Sequence, residues 1–166
     1  MRKILIFLLI CTNALGSNRP YTEVVSEIAP KACKLKKENL YLDKEQQKEI
    51  EKISGVKLYG RLALRYFCEQ ENIYYYIDSH IVRTLNETVI IKVQNNKVSE
   101  YVVSSFNEPQ EYKAPTKWLD QFIQKAHNKY TLRENIDALS GATLTAKASV
   151  DTVNKILALH KVLLTK

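Results

Sequence analysis

The run ETVIIKVQNNKVSEYVVSSF, Glu87 to Phe106, decides the fold. Val, Ile and Tyr, whose branched or flat side chains suit a pleated and half-buried surface, fill both of its halves. Between the halves, Asn95-Asn96 signals a tight hairpin, because Asn tolerates φ > 0. Two strands joined by so short a turn run antiparallel. Upstream, Arg61–Glu69 and Asn72–His80 have the same character, so four consecutive strands in one antiparallel sheet are predicted. Helical patterns bracket them. Thr22 to Ile28 reads as a short helix stopped before Pro30, and Asp43 opens a second helix, with Asp43 and Gln46 spaced as a capping box and Ile50 and Ile53 inward. Beyond the sheet, Pro115-Thr116 introduce a helix whose Trp118, Leu119, Phe122, Ile123 and Ala126 share a face. A long amphipathic helix follows from about Thr145 to Leu164, with Ala146, Val150, Val153 and Leu157 at helical spacing. A block of strands bracketed by helices predicts an α+β domain rather than a doubly wound sheet.

The turn before that last helix carries the chemistry. In Asp137-Ala138-Leu139-Ser140-Gly141-Ala142-Thr143-Leu144-Thr145, the small residues Gly141 and Ala142 leave the backbone open to a bulky partner, and Gly141 can take φ > 0. Thr143 then offers an exposed hydroxyl close to a helix N-terminus, where unpaired N–H groups and the positive dipole end favour a phosphate. The plainer reading is a turn with Thr143 or Thr145 as an ordinary N-cap.

This segment resembles the attachment motif of the FMN-binding domain family, which includes flavin-carrying subunits of the sodium-translocating NADH:quinone reductase and of the Rnf electron-transport complex. In that family the last Thr of the motif carries FMN through a phosphoester bond. The resemblance implies that Thr143 is the flavinylated residue, that Ser140, Gly141 and Ala142 present it, and that Leu144 and Thr145 flank the cofactor. It also implies that Asp137 is part of what a separate, magnesium-dependent flavin transferase recognises. Ala138 and Ala146 stand where relatives often have Gly and Ser, without loss of a group the chemistry needs. Phe106 to Tyr112 and Trp118 to Phe122 look like the family's approach to its flavin site, and the resemblance extends over about Leu42 to Leu164. It makes Glu108 either a brace of its loop or a flavin contact, and Trp118 a flavin contact unless it merely packs on Phe122.

Arg2 and Lys3, the apolar run Ile4 to Ile10 and the small-residue region Asn13 to Ser17 form the three parts of a secretory signal peptide. Cleavage near Gly16 is expected, and the run is shorter than the ~20 residues of a membrane span. Lipidation at Cys11 and an uncleaved anchor are the alternatives. The expected organisation is a leader over 1–16, an N-terminal helical segment over 17–41 and an FMN-binding domain over 42–166. The formal net charge of +7 falls to +5 without Arg2 and Lys3, and its one tight cluster, Lys34, Lys36 and Lys37, reads as a solvated turn. Nothing in the chain matches a nucleic-acid recognition motif.

Cys33 and Cys68 remain as an even pair, open to a disulfide or to two separate thiols with Cys68 in the core. His80, His127 and His160 show no ligand spacing, so no metal site is expected, and Tyr74, Tyr75 and Tyr76 point to alternate faces of a strand. Asn86-Glu87-Thr88 is a glycosylation sequon that a bacterial exported protein leaves unused. Together with the resemblance, these features predict a periplasmic electron-transfer flavoprotein with covalent FMN, a redox carrier rather than a complete enzyme. Such a carrier shuttles electrons between a membrane redox complex and a reductase. The other readings are a flavin-bearing subunit of a reductase complex and a cofactor-free interaction domain that retains the fold.

Overall fold

A computed structural model of the chain describes residues 18–124 and 127–164. The expected leader and Ala126 lie outside them. Five strands form one sheet in chain order: β1 (Leu35–Tyr41), β2 (Leu62–Cys68), β3 (Ile73–Ile81), β4 (Asn86–Gln94) and β5 (Lys97–Phe106). Every neighbouring pair is antiparallel. The Asn95-Asn96 hairpin forms with both residues at positive φ, 53° and 60°, the backbone of a type I′ turn.

The expected four strands are present within a residue or two, and β1 is an addition to them. Sequence places residues 35–41 in a helical segment and a wet turn, but they pair along their length with β2. At this edge of the sheet Lys36, Lys37 and Asn39 are exposed, so polar residues hide the strand pattern.

Helix α1 (Tyr21–Ile28) buries Val24 and Val25 against Cys68, Ile73, Tyr75 and Ile90 on one face of the sheet. The other face carries Tyr74, Tyr76, Val89, Ile91 and Tyr101, covered chiefly by the long C-terminal helix. The three consecutive tyrosines thus split between two cores, as strand alternation requires. Helix α2 (Lys44–Ser54) begins with the expected capping box: Gln46 N–H donates to Asp43 at 2.7 Å and Asp43 N–H donates to the Gln46 side chain at 3.0 Å. Such a cap stabilises a helix by about 1 kcal/mol. Gly55 at φ 73° ends it.

The helix expected after Pro115 is two short pieces, α3 (Thr116–Leu119) and α4 (Gln121–Gln124), with Trp118, Leu119 and Phe122 buried. Helix α5 runs from Thr143 to Leu164 and packs against both the sheet and α2. It therefore buries polar as well as apolar residues, among them Thr145, Ser149, Thr152, Asn154 and His160. Cys33 and Cys68 form a disulfide, because Leu35 pairs with Cys68 and brings Cys33 to the end of that ladder. Among the described residues no helix is long and apolar enough to cross a membrane.

Candidate functional site

The turn before α5 is built around one glycine. Ala142 N–H donates to Leu139 C=O at 3.2 Å, with Gly141 at φ 76° and Ser140 not at positive φ, which is a type II turn. A Cβ on Gly141 would meet nothing within 4 Å, so the backbone angle alone calls for glycine here. The first helical bond runs from Ala146 N–H to Ala142 C=O at 3.0 Å. Ala142 therefore occupies the cap position, and the N-cap reading of Thr143 or Thr145 is replaced: both lie inside the helix.

The two threonines are in opposite situations. Thr145 is 1% exposed, and its hydroxyl donates to the Tyr112 carbonyl at 2.6 Å. Thr143 is exposed in the first turn of α5, and its hydroxyl has no hydrogen-bond partner among the described residues. Ser140 and Gly141 are also exposed, Ala142 is buried beneath them, and Leu144 is half-exposed beside Thr143.

Buried polar contacts hold the turn in place. Trp118 Nε1–H donates to Asp137 C=O at 3.0 Å, and Asp137 N–H donates to Gln121 Oε1 at 2.9 Å. Asn154 on α5 clamps the incoming loop, accepting from Tyr130 N–H and donating to Tyr130 C=O, each at 2.8 Å. Trp118 is thus a bolt on the loop into the turn, and it also packs edge-on against Phe122. Glu108 is a brace: its Oε1 accepts from the N–H groups of Arg83, Thr84 and Leu85 at 3.1, 2.6 and 2.8 Å. The backbone bonds from Thr84 and Leu85 hold its carboxyl below the usual carboxylate range. Of the two readings of Glu108 that sequence leaves open, the geometry shows the bracing contacts, made to residues 83–85.

A groove of about 690 Å³ opens beside the turn, between residues 56–64, β3 and α5. Of the expected site residues Leu144 alone lines it; Thr143 and the rest of the turn, Thr145, Glu108, Trp118 and Asp137 do not. Its rim is apolar, with Tyr59 (95% exposed), Leu62, Ile81 and Leu144 presented to solvent. Its lining carries four basic side chains, Lys57, His80, Lys147 and Lys155, against two carboxylates, Asp78 and Asp151, an excess of two positive charges when His80 is protonated.

At the floor lies a cluster that sequence spacing did not reveal. His80 Nδ1 is 3.1 Å from Asp78 Oδ2, and its Nε2 is 3.0 Å from Glu87 Oε2. Since carboxylates only accept, both ring nitrogens must carry protons. Burial opposes that charge, but the hydrogen bonds and attraction of Asp78 and Glu87 outweigh it and raise the His80 pKa to about 9. Burial likewise pushes Asp78 up, and His80 and Lys155 overcome it, bringing Asp78 down to about 2. Lys155 Nζ bonds Asp78 Oδ1 at 2.6 Å, and the Thr152 hydroxyl lies 3.2 Å from both Asp78 and His80. A signal existed in the sequence: Asp-x-His on one strand, with Glu87 at the position that pairs with His80 across the hairpin.

An antiparallel sheet backed by a long helix, with a reachable hydroxyl in the helix's first turn beside an electropositive, apolar-rimmed groove, could hold an anionic, ring-bearing cofactor. The family model described as the FMN-binding domain matches residues 85–158, which supports assigning this segment to the FMN-binding domain family. No curated protein and no solved structure matches the chain. The matched segment holds β4, β5, the turn and most of α5, but not Asp78 or His80. The residues present suit FMN: an unpartnered hydroxyl at a helix N-terminus for its phosphate, and an apolar rim with a net positive lining for its ring.

Proposed function

We propose that the chain is an exported, periplasmic electron-transfer flavoprotein that carries FMN joined to Thr143 by a phosphoester bond. The observation that carries this reading is the contrast between the two hydroxyls of the motif: that of Thr145 is buried and bonded, that of Thr143 exposed and unpartnered. Attachment through a transferase needs exposure at the acceptor more than a perturbed pKa. FMN held there supplies the redox chemistry, while the protein positions it and sets its electrostatic surroundings. A covalent bond prevents loss of a cofactor that cannot be replaced from a cytoplasmic pool. The Cys33–Cys68 disulfide supports an oxidising compartment. The partners of such a carrier are a flavin transferase for maturation and a membrane-bound or periplasmic redox protein.

The test is intact mass of the chain exported together with an active flavin transferase, beside Thr143→Ala. An increment of one FMN less one water, absent from the variant, is expected. An unmodified wild-type chain in the presence of active transferase would refute covalent attachment.

A further inference from the structure

Polar floors in apolar grooves are costly, so a cluster of two acids and two bases under this groove calls for an account. Glu87 is fully buried, and Asp78, His80 and Lys155 each have side chains less than a fifth exposed. The geometry separates the cluster's charges by depth. His80 and Lys155 line the groove, whereas Glu87 does not and approaches His80 from β4. One carboxylate therefore sits behind the imidazole, and the groove's own lining keeps its positive excess.

We propose that His80 is a potential-setting residue of this site: an imidazolium fixed between Asp78 and Glu87 that favours the reduced, more negative state of a flavin lodged in the groove. This rests on the reading of Thr143 as the flavin attachment point. Two electrons from an external reduced carrier and one proton from solvent leave the flavin with one added negative charge. His80 keeps its own proton throughout, so it acts through charge and not as an acid. A low-dielectric groove wall strengthens that attraction relative to water.

The groups that face His80 come from every side of its packing. They are Asp78 on its own strand, Glu87 on β4, and Thr152 and Lys155 on α5. On β5, the buried phenol of Tyr101 senses Glu87 and Asp78. Lys57 and the Lys147–Asp151 pair complete the groove's charges. All of these remain in a His80→Gln variant, so comparison with wild type isolates the imidazolium.

The experiment measures midpoint potentials from pH 6 to 10 by spectroelectrochemistry on wild type and His80→Gln, with FMN occupancy verified by mass. The variant is expected to be harder to reduce at pH 7, and the gap to close above pH 9, where wild-type His80 loses its charge. Loaded chains with equal potentials at pH 7, or with a gap that pH does not alter, overturn this proposal and leave the attachment reading intact. Chains without FMN overturn both. If His80→Gln does not fold, two wild-type measurements decide: ring-nitrogen NMR of His80, and the pH slope of its potential. Both nitrogens protonated at pH 7, with a break in the slope near pH 9, support the proposal. A neutral ring at pH 7 or an unbroken slope overturns it.

Discussion

Two histidines of this chain, His160 buried and His80 partly buried, hold opposite charge states, and the atoms around each ring decide which. His160 is 2.9 Å from the Tyr76 hydroxyl and 3.1 Å from Asn96 Oδ1, a neutral pair of contacts. Burial, reinforced by the charge of Arg65, pulls its pKa to about 4. Unfolding therefore lets it take up a proton between its ordinary 6.5 and 4, and stability falls as pH drops through that window. His80 works the other way. Its pKa rises from 6.5 to about 9, so its contribution is complete below 6.5 and is lost as pH climbs through 9. That contribution is about 3 kcal/mol at most. Asp78, lowered from 3.8 to about 2, adds stability that is present above 3.8 and disappears toward pH 2. Maximum stability is thus expected near pH 6.5. Urea midpoints measured from pH 4 to 10 should fall on both sides of it, and His80→Gln should flatten the alkaline limb. A wild-type midpoint that stays level from pH 6.5 to 9 would contradict the partly buried imidazolium. None of this was legible from histidine spacing alone: the three side chains meet only because the β3–β4 register sets His80 opposite Glu87.

At the scale of elements, the turn before α5 depends on one backbone angle. Gly141→Ala should cost about 1 kcal/mol, the penalty for a Cβ at positive φ, with no added clash because the space is open. Thermal denaturation reads the loss, and mass after exposure to transferase reads whether Thr143 is still presented. An unchanged melting temperature would mean that the turn is not type II. The sequence announced this turn, the hairpin and the capping box because each depends on residues two to four apart. It did not announce β1, whose charged residues mask a strand that exists only through its pairing with β2. Nor did it show the break at Asp120, where Trp118 and Gln121 are both occupied with holding Asp137. Glu108 was legible as a brace or a flavin contact but its partners were not, since Arg83 to Leu85 lie more than twenty residues away.

For the whole molecule, the Cys33–Cys68 bond spans 35 residues and encloses β1, α2 and β2. A loop of that size is worth about 3–4 kcal/mol in chain entropy. A Cys33→Ser, Cys68→Ser double variant should lose stability of that order in denaturant titration, and an unchanged midpoint would show that the crosslink does not constrain the unfolded chain. Sequence could say only that the two cysteines form an even pair, because their distance depends on the β1–β2 register.

The strands lie in the sheet in the order they occur in the chain, so each pairs with its immediate predecessor. Contacts between near neighbours close small loops and form early, whereas those of high sequence separation wait. Asp78, His80 and Glu87 belong to one hairpin and can meet early. Helix α5 must return across some seventy residues to bring Thr152 and Lys155 to Asp78. Thr143 travels with that helix, so on the proposed attachment the hydroxyl reaches its place only when this long-range docking forms, and modification there would report a chain that has completed it.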